Sequence, residues 1–328
     1  MRRPYEYKVS CVMMVKSPDT YTLKISLSSV CNADCLDEII LVTPFPEKFI
    51  WVEEVCPKAR LVKDPGCGIG IARNYGIASS RNEIVAFVDP DAVVGENHFC
   101  TILKTFDDPS VGLVDVISTF SPKSFKNYTK VQLLENFVWK YGRVAQLRSE
   151  NVIYAGGTFM ALRKSLWKEV GGFWKYPPYG SDDMDFSYRV YKKGYKCKRI
   201  RVHGSFHIPR PTLRELFREQ YGWGKGFAIL LLKYNQEKEF WLSLRYSKIL
   251  YNIIPSCYWF LIPVLRAIAA PIGGLVNSIR LGNMSFLPFW VFRRYAFLLG
   301  FIRGLHDYML FTKLSRNKAS LCAKIRHS

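Results

Sequence analysis

Two groups of carboxylates in this chain have the types and spacing to do chemistry. The first is Asp89-Pro90-Asp91, which ends the apolar run Ile84 to Val88. The second is Asp182-Asp183-Met184-Asp185, three acids in four residues at the start of a helical pattern. Asp-x-Asp at a strand end is a hard-oxygen site suited to Mg²⁺ or Mn²⁺ and, through the ion, to a diphosphate. The same tripeptide is also good turn chemistry with no function. Acids at a helix start are favoured by capping and the macrodipole, so any one of the second group is ordinary. Three together repel, and such clustering either raises a pKa, as a general base uses, or is offset by a cation. His203 and His207 follow on a strand or its exit. A lone histidine is usually structural, but a pair this close to a possible metal domain points modestly to function.

The elements that must position these groups are legible from periodicity. Val9 to Val15, Glu38 to Val42, Arg60 to Lys63, Ile84 to Val88 and Val111 to Ile117 are apolar runs of strand length. Helical spacing separates them, as in Leu23, Leu27 and Val30, in Ile71 to Ser79 and in Glu96 to Phe106. Short alternation of strand and helix predicts a doubly wound parallel sheet, whose ligands lie beyond the carboxyl ends of the strands. Gly66, Gly68 and Gly70 give G-x-G-x-G rather than the dinucleotide fingerprint, and no phosphate-binding P-loop is present. A helix Ser165 to Val170 stops at Gly171-Gly172, and Phe173 to Gly180 reads as a mobile stretch before the second acid cluster.

Composition bounds the partners. The 328 residues suffice for one large domain with an appendage or for two modest domains. A net charge of +20 implies an anionic partner, whether nucleic acid, a phosphorylated substrate or an acidic membrane surface. Nine scattered cysteines without a C-x-x-C pair read as reduced thiols in an intracellular protein without structural zinc. The amino terminus carries no signal-peptide pattern.

The order of short motifs is more specific than any one of them. Ala72-Arg73-Asn74-Tyr75-Gly76 precedes Val88-Asp89-Pro90-Asp91, then Gly157-Thr158-Phe159-Met160, Val170-Gly171-Gly172-Phe173, Ser181-Asp182-Asp183-Met184-Asp185, His207 and Tyr221-Gly222-Trp223-Gly224. This order resembles the family 2 glycosyltransferases over roughly residues 8 to 230. The resemblance implies a GT-A fold, a doubly wound mixed sheet in residues 1–210. It also implies inverting transfer of one sugar from a nucleotide-diphosphate sugar. On it, Asp91 and His207 would hold Mg²⁺ or Mn²⁺, with His203 the competitor for the histidine role. Asp89, Arg73, Asp182 and Gly157 would meet the donor, and Asp183 would be the base. Gln220-Tyr221-Gly222-Trp223 lacks the arginine of processive synthases, which favours a single transfer. The first two strands do not end in the family's usual base-reading residues, so the nucleotide stays open. The alternatives are a nucleotidyltransferase of related fold, which should show a basic glycine-rich loop after the first strand, and a non-catalytic membrane adaptor.

Residues 211–328 are expected to be helical and membrane-associated. Arg214, Arg218, Tyr221 and Lys225 form a basic and aromatic stripe at helical spacing. Residues 249–276 are apolar and long enough to cross a bilayer, but Pro255, Pro263 and Pro271 rule against a straight helix. Residues 286–303 carry Arg293 and Arg294 mid-segment, which favours an in-plane or re-entrant helix. A basic tail follows. The expected setting is the cytoplasmic face of the cell membrane, with an anionic lipid surface, a lipid-linked or glycan acceptor, and no nucleic acid.

Overall fold

A computed structural model describes residues 8–18, 21–119, 128–144, 150–237, 239–240 and 260–325. The chain divides into one unit of Met1–Tyr176 with Asp182–Thr212 and a second of Pro177–Ser181 with Leu213–Ser328.

The first unit is built on a sheet of nine strands among the described residues: β1 (Val9–Met14), β2 (Leu36–Thr43), β3 (Ala59–Lys63), β4 (Ile84–Phe87), β5 (Ala92–Val93), β6 (Val111–Thr119), β7 (Asn151–Val152), β8 (Met160–Arg163) and β9 (Lys196–His207). Their spatial order is β3-β2-β1-β4-β8-β6-β9-β5, with β7 on β9. Among the described residues seven α-helices belong to this unit: α1 (Tyr21–Cys31), α2 (Trp51–Val55), α3 (Ile69–Ser79), α4 (His98–Thr105), α5 (Lys130–Val144), α6 (Lys164–Val170) and α7 (Asp182–Lys192).

The strands are apolar on both faces because helices cover both. Cys11, Met13, Ile39 and Ala86 pack with Leu23, Leu27 and Val30 of α1 and Phe99 and Ile102 of α4. Val12, Ile40, Val85 and Phe87 pack on the opposite side with Ala72 and Ile77 of α3 and Phe186 and Val190 of α7. The strand–helix alternation predicts a doubly wound parallel sheet, and β3-β2-β1-β4 and the β6–β9 pair are parallel, while the sheet as a whole is mixed, as the family resemblance implies. β8 runs antiparallel to both β4 and β6. A short buried run such as Met160-Ala161-Leu162 carries no mark of direction. Its antiparallel insertion brings the turn at its start, Gly156 to Thr158, to the carboxyl end of β4.

The thiol reading is overturned. Cys31 pairs with Cys56 and Cys35 with Cys100, 25 and 65 residues apart in sequence. Their scatter concealed the pairing, because α1, α2 and α4 meet on one side of the sheet. Cys11 and Cys197 are buried free thiols. The stretch from Phe173 is also less loose than its prolines imply: Phe173 and Tyr176 are both buried.

The second unit contains α8 (Leu213–Lys233), α9 (Leu261–Ile268), α10 (Ala270–Leu281) and α11 (Phe286–Ile325). Pro255 and the start of the expected spanning segment lie outside the described residues. No single helix among the described residues is long and apolar enough to cross a membrane. α9 and α10 together have the length and composition, with a 49° bend between them. Pro271, in the first turn of α10, lacks the N–H that would continue α9. Residues 286–303 are the amino-terminal part of the single helix α11. The basic stripe on α8 is partly a packing face, since Lys225 Nζ lies 2.6 Å from Asp307 of α11. α8 and α11 cross closely enough that a methyl at Gly300 would collide with the Tyr221 carbonyl.

Candidate active site

The sheet topology assembles the first half of the site. β5 starts one residue after Asp91 and pairs antiparallel with β9, setting Ala92 opposite His207. The Ile208 N–H donates to the Asp91 carbonyl at 2.7 Å and continues that pairing. The Asp91 carboxylate is therefore carried to the end of β9. Its Oδ1 lies 3.2 Å from His207 Nε2, and its Oδ2 lies 2.5 Å from Arg210 Nη1. Burial pushes this carboxyl up, but His207 and Arg210 more than offset it and hold it well below the ordinary carboxylate range. Asp89 moves the other way. Burial and the neighbouring Asp91 charge raise its pKa, against opposing pulls from Arg73, His207 and the Thr158 hydroxyl. The two acids of the tripeptide thus differ in character: Asp91 is anionic and matched by cations, while Asp89 is held towards its protonated form.

The second half is the amino end of α7. All three acids lie in its first turn, where N–H groups lack helical partners. The Gly157 N–H donates to Asp183 Oδ2 at 2.8 Å, and the Met184 N–H to Asp183 Oδ1 at 2.8 Å. Asp182 is 2% exposed and ion-paired with Arg73 of α3. Burial, opposed by Arg73 and reinforced by Asp183, lifts the Asp182 pKa to about 6. Asp185 is different in kind. It is fully buried, holds Arg189 at 2.8 Å and accepts from the Tyr176 hydroxyl at 3.2 Å. Arg189 in turn donates to the carbonyls of Val170 and Gly172. Asp185 is a packing residue that ties α7 to the loop after α6.

Arg73 joins the halves. Its guanidinium is buried beside the rings of Phe87 and Phe173, 5.5 and 5.4 Å from their centroids, and the two rings touch each other edge to face. Burial opposes its charge, but Asp182, Asp183 and Asp89 together raise its pKa. Its Nε is buried without a hydrogen-bond partner. Its charge lies among the acids of the cluster, inside the protein. A Cβ at Gly157 would collide with Arg73 Nη2, so any larger residue there would have to push the guanidinium aside.

Asp115 and Asn74 hold the site in place, and only Asn74, inside the Ala72 to Gly76 motif, carries a sequence signal. Asp115 of β6 accepts from the Gly156 N–H at 3.0 Å and pairs with Arg199 at 2.6 Å, which fixes the turn from below. Asn74, directly after Arg73, donates to the Phe173 carbonyl at 2.8 Å. Its Oδ1 also accepts from the Phe173 N–H and from Trp167 Nε1. It therefore holds the ring against which Arg73 packs, and its adjacency to Arg73 was the available hint. Of the two histidines, His207 lies against Asp91, while the His203 side chain is exposed.

Among the described residues no three His, Cys, Asp or Glu side chains converge as a metal site. Asp91 and His207 supply one carboxylate and one imidazole, donors that suit Mn²⁺ and leave positions for oxygens of a substrate and water. That set fits an ion completed by its substrate and does not fit a closed structural site.

The comparisons with known proteins agree with this architecture. Two curated relatives, the pre-mycofactocin glycosyltransferases of two Mycobacterium tuberculosis strains, are each 24% identical over 168 residues, 51% of this chain. The match spans only 36% of those proteins, about a third of their length. The solved mannosyltransferase PcManGT from Pyrobaculum calidifontis, in complex with GDP-Man and Mn²⁺, superimposes with a TM-score of 0.62 at 17% identity. The alignment covers 92% of this chain and 88% of that one, and it identifies a GT-A-like fold. The family model described as glycosyl transferase family group 2 matches residues 84–310, well over half of the chain and inclusive of Asp89, Asp91, Asp183 and His207. With the site and fold in accord with that match, the chain belongs to glycosyl transferase family group 2.

Proposed function

We propose that this chain is an inverting glycosyltransferase that moves one sugar from a nucleotide-diphosphate sugar to an acceptor hydroxyl or phosphate. The observation that carries the reading is the arrangement around Arg73. This buried cation sits among Asp89 at the end of β4 and Asp182 and Asp183 at the start of α7. Asp183 takes the acceptor's proton, and the Gly157 and Met184 N–H groups orient its carboxylate for that transfer. Asp89, at the end of β4, is placed to hydrogen-bond a ribose or sugar hydroxyl of the donor. Asp91 and His207 would hold Mg²⁺ or Mn²⁺, which when bound neutralises charge on the departing diphosphate. Both curated relatives are glycosyltransferases by name, and the superimposable mannosyltransferase holds a nucleotide sugar with Mn²⁺, which supports the donor class. The test is transfer from a panel of nucleotide sugars with Mn²⁺, wild type against Asp91→Ala. The variant is expected to lose Mn²⁺-dependent transfer by at least about a hundredfold, within the range for lost electrostatic stabilisation. Equal rates would sink the assignment.

The helical unit is proposed to rest on an anionic membrane, bringing a lipid-linked acceptor to the enzyme. Leu265, Ile268, Ile272 and Ile279 are exposed on α9 and α10, an apolar surface that suits an in-plane or re-entrant pair. The proposed side is the cytoplasmic face. There the two disulfides require a cytosol in which cystines persist, as in hyperthermophiles. Full-length protein is expected to float with vesicles containing anionic lipid, and a triple Ile268→Glu, Ile272→Glu, Ile279→Glu variant to stay at the bottom of the gradient. Undiminished flotation of the variant would remove this surface from the account.

A further inference from the structure

We propose that Ser26 and Ser29 of α1 are positioning residues for the donor and metal site. They hold the segment that carries Asp89 and Asp91 from the side opposite β9. The inference rests on the proposed reading of Asp91 as a metal ligand and adds two residues which that reading does not contain.

The pairing of β5 with β9 sets Asp91 beside His207, yet β5 is a strand of two residues that ends the order of the described sheet. So short a pairing is weak, and an edge strand presents its outer backbone groups to whatever lies beside it. Successive residues of an antiparallel strand turn these groups alternately towards the partner and away. Asp91 turns its carbonyl to the Ile208 N–H at 2.7 Å, so Ala92 and Val94 turn theirs outward. The Ala92 N–H donates to the Asp89 carbonyl at 3.0 Å and closes the turn over Pro90. The Ser26 hydroxyl donates to the same Asp89 carbonyl at 3.1 Å. The Val94 N–H donates to the Ser29 hydroxyl at 3.2 Å. The turn that displays both carboxylates is thus tied to α1 at its first residue and again just past its end.

Spacing and chemistry suit the two serines to this role. Three residues apart, they share one face of α1. The Ser29 hydroxyl donates back to the Ser26 carbonyl at 2.7 Å, which leaves its lone pairs for the Val94 N–H. Ser26 is fully buried, so solvent does not compete for the Asp89 carbonyl there. Leu23, Leu27 and Val30 attach the helix to the core, and both serine hydroxyls are directed at this one segment. The helix is itself a fixed reference. Its last residue, Cys31, is bonded to Cys56, and Cys35, just beyond, is bonded to Cys100 of α4. A carboxylate that must receive an ion serves best when the layer beneath it holds it within about 0.5 Å of the productive geometry.

The test compares the full chain with Ser26→Ala, Ser29→Ala and the double variant, well below their unfolding temperatures. Hydrogen–deuterium exchange is followed in residues 89–95, and Mn²⁺ affinity is measured by electron paramagnetic resonance. Exchange at Ala92 and Val94 is expected to quicken. The double variant should bind Mn²⁺ about tenfold more weakly, the lower end of the range for hydrogen bonds that support a metal site. The single variants serve if the double variant does not fold. Ser29→Thr keeps the hydroxyl and should match wild type in both measurements. So should the control Ser28→Ala, an exposed position of the same helix. Exchange at the wild-type rate in the alanine variants would overturn the inference and leave Asp91 as a metal ligand intact. Faster exchange with unchanged Mn²⁺ affinity would overturn it as well, because the serines would then hold the loop without serving the site. Absence of Mn²⁺ binding in wild type would overturn the metal reading and this inference with it.

Discussion

An Asp183→Asn variant is expected to keep its fold and its affinity for the donor while losing transfer by about 10²- to 10⁴-fold, the usual worth of a positioned general base. The substitution is nearly isosteric. The asparagine carbonyl can still accept the Gly157 N–H that Asp183 Oδ2 accepts at 2.8 Å, which keeps the turn over Arg73, while the Met184 N–H, which donates to Oδ1, loses its acceptor. What disappears is the carboxylate proposed to take the acceptor's proton in the transition state. A group that acts only in the transition state lowers kcat and kcat/KM together, with KM for the donor little changed. Thermal unfolding within a few degrees of wild type would show that the loss is chemical. Transfer within a few-fold of wild type would return the general-base role to another group, and Asp182 would be the first to examine.

The sequence revealed the strands by their apolar runs and the two acid clusters by their spacing, because both are local properties. It did not reveal how the clusters meet. That depends on β8 entering antiparallel and on β5 pairing with the end of β9, and neither two-residue β5 nor the direction of β8 leaves a trace in hydrophobic pattern. The disulfides were hidden for the same reason, since 25 and 65 residues separate cysteines that only packing brings together. The three acids of α7 looked alike in sequence and have three roles: Asp182 pairs with Arg73, Asp183 faces the Gly157 turn, and Asp185 locks Arg189. Charge clustering announces that some acid is unusual. Which one depends on where the cations lie, and Arg73 is more than a hundred residues away.

Replacement of Arg73 by methionine is expected to destabilise the protein by about 3–5 kcal/mol at pH 8, the cost of breaking a buried pair from one side. Asp182 would stay buried beside Asp183 with no cation, and the stacking on Phe87 and Phe173 would be lost as well. The pH dependence has a definite sign. The folded-state pKa of Asp182, about 6, lies above its ordinary value of 3.8, so the folded protein holds that proton more tightly than the unfolded chain. The group's contribution to stability is therefore greatest below about pH 4 and is lost as pH rises through 6. Without Arg73, the pull that lowers this pKa is gone, and the loss grows and extends to higher pH. The difference between variant and wild type should accordingly be larger at pH 8 than at pH 5, where protonation relieves the unpaired carboxylate. Urea unfolding at both pH values and constant ionic strength measures it. The double variant Arg73→Met, Asp182→Leu should recover part of the stability and flatten the pH dependence, because it removes the stranded carboxylate as well as its partner. A pH-independent loss in the single variant would mean that Arg73 acts through packing on its two rings and that its charge pairing with Asp182 contributes little.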